Sequence, residues 1–155
     1  MSEKIRLFFE GKLEKQLLVK LDSKQAHYLG NVMRQKPRDL VRVYNQKDGE
    51  WRAIIREISN KYCLVLLTEK IKKKIIASTI NLVFCPVKKN SLEYVIQKTT
   101  ELGVSLISLV YSNRVVRKKT NIQRLKSIAI QASEQCGRID IPLIYEYKSL
   151  EFFLN

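Results

Sequence analysis

Short runs of β-branched and aromatic residues, each ended by a turn signal, fill the chain from residue 1 to about 69. Ile5 to Phe9, Gln16 to Leu21, Leu40 to Asn45, Trp51 to Ile58 and Tyr62 to Thr68 have the composition and length of strands. Asp48-Gly49 separates two of them and is a hairpin signal. Between the second and third runs, Asp22 or Ser23 can cap a short helix on which Ala26, Leu29, Val32 and Met33 share one face. That helix should end before Pro37, because a proline also restricts the residue ahead of it. Residues 1–69 therefore predict a small, mostly antiparallel β-barrel with one inserted helix.

Residues 70–79 include Lys72-Lys73-Lys74, carry little pattern and read as a linker. From Ile80 onward the rhythm becomes strand, helix, strand, helix, strand. Strands are expected at Ile80 to Cys85, Leu106 to Tyr111 and Leu143 to Tyr147, and Ser149 to Leu154 can begin a further helix. A helix from Ser91 to Leu102 places Leu92, Val95, Ile96, Thr99 and Leu102 inward, and one from Asn121 to Cys136 does so with Ile122, Leu125, Ile128, Ala129 and Ala132. Gly103 and Gly137 stand where the two helices should stop. Alternation of this kind implies crossovers over a parallel sheet. The fold class is α+β overall, a barrel of residues 1–69 followed by part of an α/β domain over 80–155. Three strands with about two and a half helices leave one face of such a sheet poorly covered.

Charge adds a partner class. The 155 residues hold 29 Lys and Arg against 15 Asp and Glu, a net +14 with pI near 9.8. Residues 1–78 carry 18 basic and 9 acidic side chains and residues 79–155 carry 11 and 6, so both halves are basic. A polyanion is the economical partner, although a generally lysine-rich proteome would give the same balance. Every apolar run falls far short of the ~20 residues of a membrane span. The N-terminus has no secretory pattern, so a cytoplasmic protein is expected. Cys63, Cys85 and Cys136 are too few and too scattered for a disulfide framework or a metal knuckle, and read as reduced core thiols. The single histidine, His27, argues against zinc sites and Ser-His-Asp relays, and the phosphate-cradling glycine motifs are absent.

Several clusters can meet an anion. His27 and Arg34 lie seven residues apart, two helical turns, with Lys36 and Arg38 just beyond; the competing reading is a half-buried histidine beside a solvated turn. Lys88 and Lys89 fall where the first strand of the second half meets its helix, the usual ligand edge of an open parallel sheet. Ser112-Asn113-Arg114 and Arg117-Lys118-Lys119 follow the next strand, and Arg138 can reach the same edge or serve a helix terminus. Glu101 can pair with one of these arginines or be a satisfied helix carboxylate.

Taken together, Arg6-Leu-Phe-Phe, His27 with Val32-Met33-Arg34 and Asp39, Thr100-Glu101-Leu102-Gly103-Val104, and Gln131 to Arg138 with Ile141-Pro142 occur in the order and spacing of a known family. The chain resembles, over nearly its whole length, the RsmE family of 16S ribosomal RNA uracil-N3 methyltransferases. The resemblance implies a PUA-like RNA-binding barrel and a SPOUT-type methyltransferase domain. It further implies S-adenosylmethionine as cofactor, no metal, 16S rRNA in the small ribosomal subunit as partner, and a homodimer in the intact family. By resemblance Arg6, His27, Arg34 and Lys36 would face RNA; Arg38, Lys88 and Lys89 join them as RNA-binding candidates on charge and position. Lys88, Glu101, Arg114, Gln135 and Arg138 match motif positions, with Arg114 and Arg138 the candidates for stabilising a developing uracil anion. Two departures stand out. Arg38 replaces the family's usual glycine before Asp39, and the Gly-Pro-Glu-Gly segment, with the later strand and helix that complete the knot and cofactor pocket, has no counterpart in these residues. The alternative reading is a non-catalytic RNA-binding module or a decayed fragment of that enzyme.

Overall fold

The computed structural model describes residues 5–73, 79–111, 120–146 and 149–154. The chain divides into two compact units, Met1–Ile75 and Ile76–Asn155.

In the first unit, β1 (Arg6–Phe8), β2 (Leu18–Leu21), β3 (Leu40–Asn45), β4 (Gly49–Ile58) and β5 (Cys63–Lys72) form one sheet in the order β1-β3-β4-β5-β2. Only the β1–β3 ladder is parallel among them. Period-two alternation sends Val41 and Val43, Trp51, Ala53 and Ile55, Val65 and Leu67 to one face, where Val43 opposes Trp51 and Ile55 opposes Val65 in a buried cluster. β5 extends beyond the expected strand, with Lys70 opposite Trp51 and Lys72 opposite Glu50, so Lys70 to Lys72 of the expected linker belong to the strand. The long β4 keeps offering backbone partners to that point.

The inserted segment departs from the expected helix. Asp22 caps α1 (Ser23–His27) through a capping box with Gln25, and Gln25 Nε2 donates to the Phe8 carbonyl at 2.8 Å. The backbone then widens into a π turn, Tyr28–Val32, in which the Met33 N–H donates to the Tyr28 carbonyl five residues back at 2.9 Å. Ala26 and Leu29 are buried as expected, but Val32 is 57% and Met33 38% exposed, because the extra residue per turn rotates them off the core face.

Lys36-Pro37-Arg38-Asp39 closes a turn in which the Asp39 N–H donates to the Lys36 carbonyl at 3.1 Å and the Asp39 carboxylate accepts the Lys36 N–H at 2.7 Å. Proline at the second place and φ of +79° at Arg38 mark it as type II, whose third place favours glycine. A non-glycine residue in this region costs about 1–2 kcal/mol, partly offset in glycine by its looser unfolded chain. Arg38→Gly is therefore expected to stabilise the unit by up to about 1 kcal/mol, read as a higher urea midpoint.

In the second unit, β6 (Asn81–Phe84), β7 (Leu106–Leu109) and β8 (Leu143–Glu146) form a parallel sheet in chain order. α2 (Lys89–Leu102) and α3 (Ile122–Cys136) pack on it through Leu92, Ile96, Leu125, Ile128 and Ala129 against Ile107, Leu109 and Ile144. α4 (Leu150–Leu154) follows. Gly103 and Gly137 cap α2 and α3 in left-handed conformations. Leu102 is not inward as expected: it is 79% exposed, and the buried stripe runs instead through Leu92, Ile96 and Thr100. The opposite pleat of β8 leaves Leu143 and Tyr145 largely exposed. Of the three cysteines only Cys63 is a core thiol, pushed up to about 11 by burial; Cys85 is half-buried and Cys136 exposed.

Candidate nucleic-acid interface

Ser23 to Arg38 carries Lys24, His27, Arg34, Lys36 and Arg38 and no carboxylate. All five of these side chains are exposed, which removes the half-buried reading of His27. The carboxylates that bracket the segment, Asp22 and Asp39, are turned onto backbone N–H groups. The Arg34–Arg38 stretch is also tied down. Gln35 N donates to the Leu29 carbonyl at 2.8 Å, Arg38 N to Ile55 at 2.8 Å, and Ile55 N back to Asp39 at 3.0 Å. His27 and Arg34 are not on one regular helix, since the π turn and the left-handed backbone of Arg34 (φ +52°) intervene. They nevertheless belong to one exposed, cationic, backbone-anchored segment.

Arg6 is the correction in this half. Its guanidinium donates from Nε and Nη2 to the two oxygens of Glu50 at 3.0 and 3.1 Å and lies 4.3 Å from the Tyr44 ring centroid. Its side chain is only 7% exposed, so it is a structural cation and not an RNA-facing one. Arg42 Nη1 and Lys72 Nζ also reach Glu50, at 3.5 and 3.7 Å. Burial alone would raise the Glu50 carboxyl, but the hydrogen bonds and charge of Arg6, with the charges of Lys72 and Arg42, outweigh it and hold the group below the usual carboxylate range.

In the second unit the sheet has two ends with different equipment. Lys88 and Lys89 open α2 at the carboxyl end of β6 and are exposed, as expected. Tyr111 lies at the same end, its Oη donating to Glu146 Oε1 and sitting 2.8 Å from Thr120 Oγ1, a polar cluster that the sequence reading missed. Arg114 lies outside the described residues. A 14-residue helix carries the chain back by roughly 21 Å, so the ends of α2 and α3 fall at the amino edge. Arg138 is there, as in the helix-terminus reading of the two and not the carboxyl-edge one: its Nη2 donates to Asp140 at 2.7 Å, and a Cβ on Gly103 would come within 2.4 Å of its guanidinium. The Thr100-Glu101-Leu102-Gly103 and Gln131-to-Arg138 motifs thus meet by packing an arginine on a bare glycine at a helix C-terminus, where positive charge suits the dipole.

Glu101 is the satisfied helix carboxylate of the two readings, accepting from Gln97 at 3.1 Å and Lys98 at 2.7 Å; Lys98, then Gln97, hold it low against the opposing effect of burial. Gln135 lines an open groove of about 370 Å³ between α2 and α3, crossed by the Glu93–Arg124 ion pair at 3.2 Å. No group of three or more metal-ligating side chains occurs among the described residues.

Known proteins agree with this two-part division. Residues 74–155, more than half the chain, match the RNA methyltransferase domain, and residues 21–68 match the RNA methyltransferase PUA domain. The chain belongs to the RNA methyltransferase family defined by that domain. It is 30% identical over 151 residues to ribosomal RNA small subunit methyltransferase E of Rickettsia conorii, covering 97% of this chain and 62% of the relative. It is 31% identical over 146 residues to the protein of the same name from Buchnera aphidicola (from Acyrthosiphon pisum), covering 90% and 58%. Among solved structures, it is similar to a Legionella pneumophila protein described as a methyltransferase with bound SAM, at TM-score 0.85 and 25% identity over 97% of this chain and 65% of that one. The Neisseria gonorrhoeae ribosomal RNA small subunit methyltransferase E bound to S-adenosyl methionine gives TM-score 0.78 and 25% identity over 92% and 62%. The chain spans less than two thirds of the length of each of these relatives.

The described residues do not by themselves fit S-adenosylmethionine. None of the five glycines stands at the carboxyl edge of the sheet, where backbone would have to approach a ligand closely; Gly103 and Gly137 are both at the amino edge. The groove between α2 and α3 is open and polar, and an ion pair occupies its rim.

Proposed function

We propose that this chain supplies the RNA-recognition unit and the first part of the transfer domain of a small-subunit ribosomal RNA methyltransferase of the RsmE kind. That enzyme moves a methyl group from S-adenosylmethionine to N3 of a uridine in 16S rRNA. The observation that carries the reading is the Ser23–Arg38 segment, with five exposed basic side chains, no carboxylate and a backbone anchored to β4. A phosphate backbone is the partner such a surface fits, because each neutralised phosphate releases counterions. His27, Arg34, Lys36 and Arg38 are the proposed RNA contacts in this unit, with Lys88 and Lys89 in the second.

When bound, S-adenosylmethionine would supply an electrophilic methyl group, and a cation of this chain beside the target base would favour the anionic form of its N3. Arg138 is spent on Asp140 and Gly103, which leaves Arg114 as the proposed cation. A cytoplasmic location and a homodimer belong to the same reading. No helix among the described residues is long and apolar enough to cross a membrane.

The test is an assay of these 155 residues on isolated small subunits with radiolabelled S-adenosylmethionine, alongside direct binding to 16S rRNA. Binding without transfer is expected, since the described residues do not seat the cofactor. Transfer by this chain alone would overturn the division of labour, and absence of rRNA binding would overturn the reading itself.

A further inference from the structure

The cations of the Ser23–Arg38 segment explain attraction to RNA but not why large apolar side chains are held out among them. Tyr28 is 40%, Val32 57% and Met33 38% exposed. The π-helical hydrogen bond that the Met33 N–H donates to the Tyr28 carbonyl sets Met33 one turn after Tyr28, with Val32 beside it, and all three are exposed. Leu29 is buried and Gly30 rests against Ile58, which sets the turn's orientation on β4. Lys24 lies one turn before Tyr28, His27 adjoins it, and Arg34 follows Met33.

We propose that this outward face of the π turn is a stacking platform for an unpaired nucleobase of the bound RNA, with Tyr28 as the stacking ring and Lys24, His27 and Arg34 as the cations that hold the flanking phosphates. The proposal rests on the rRNA-binding reading above and deepens it by naming the RNA form recognised. A paired A-form helix hides its base faces, whereas loops and bulges expose them to aromatic side chains. A protein partner would be met by five basic side chains without a carboxylate among them, a surface complementary to a polyanion instead. The platform is pre-formed, since the hydrogen bonds of Met33 and Gln35 fix the turn without ligand.

The test uses the full chain and two RNAs, a single-stranded oligonucleotide carrying a fluorescent adenine analogue and the same strand annealed into a duplex. The native chain and Tyr28→Phe are expected to prefer the single strand and quench the analogue. Tyr28→Ala should lose the quenching and weaken single-strand binding by roughly fivefold or more, leaving duplex binding unchanged. Its salt slope should match the native one, while Arg34→Gln should lower the slope by about 0.7. Unchanged single-strand affinity in Tyr28→Ala, with salt-dependent binding intact, would overturn this inference alone and assign the apolar face to a protein partner. Absence of binding to either RNA in dilute buffer would overturn the underlying reading along with it.

Discussion

Glu50→Gln is expected to remove about 3–5 kcal/mol of stability, a large share of the total for a small domain. Glu50 is fully buried, and the variant leaves the equally enclosed Arg6 guanidinium facing a neutral amide. Arg42 and Lys72 lose the same counter-charge. The control is Arg52→Gln, which breaks the exposed pair between Arg52 and Glu69 and should cost less than about 1 kcal/mol. Urea unfolding followed by Trp51 fluorescence reads both variants, because Trp51 is the only tryptophan and sits on β4 beside Glu50. The pH dependence follows from the depressed Glu50 carboxyl. Its stabilisation is fully present above the ordinary carboxylate range and is lost as pH falls through the lowered value, so the native chain should weaken in acid. The Glu50→Gln chain should lack that part of the acid dependence. Equal losses in the two variants at neutral pH would refute the account of this hub.

Gly49→Ala should cost about 2–4 kcal/mol in the same assay. Gly49 adopts φ of +85°, and a Cβ there would meet the backbone oxygen of Lys72 at 2.3 Å. That carbonyl belongs to the end of β5 and cannot move without disturbing the β4–β5 pairing that also brings Lys72 to Glu50. Gly137→Ala is the comparison: its φ of +79° is strained for alanine, but nothing lies within 4 Å of the added carbon. It should cost only about 1 kcal/mol in the second unit, read by circular dichroism. A mild Gly49→Ala variant would mean that the strand end yields more readily than its hydrogen bonding implies.

Much of the architecture was legible because it follows from periodicity and stops. α3 shows Leu125, Ile128, Ala129 and Ala132 at helical spacing with Gly137 after them, and that is the helix observed. Asp48-Gly49 marked the β3–β4 hairpin for the same kind of reason, a positive φ that only glycine takes easily. The π turn was not legible, since a count by 3.6 residues carries no sign of one inserted residue, and Val32 and Met33 were assigned inward on that count. Arg6 was placed facing RNA on the family resemblance alone, and its burial was not legible because its ion pair depends on Glu50, forty-four residues away. Of the two readings of Arg138, chain direction decides for the helix terminus: α3 runs back to the amino edge, so a residue after its end cannot share the carboxyl edge with Lys88. The exposed RNA-facing candidates sit on short turns and helix starts whose boundaries Pro37, Asp22 and the strand ends mark in the sequence, although the turn is also tied to β4.

On the proposed function, the cationic Ser23–Arg38 segment grips rRNA through its phosphates. The most direct measurement is the affinity of the full chain for 16S rRNA across a salt series, compared with a chain carrying Arg34→Gln, Lys36→Gln and Arg38→Gln. The native log K should fall steeply and linearly with log salt, and the triple variant's slope should be shallower by roughly 2. Identical slopes for the two chains, or a native affinity indifferent to salt, would contradict it.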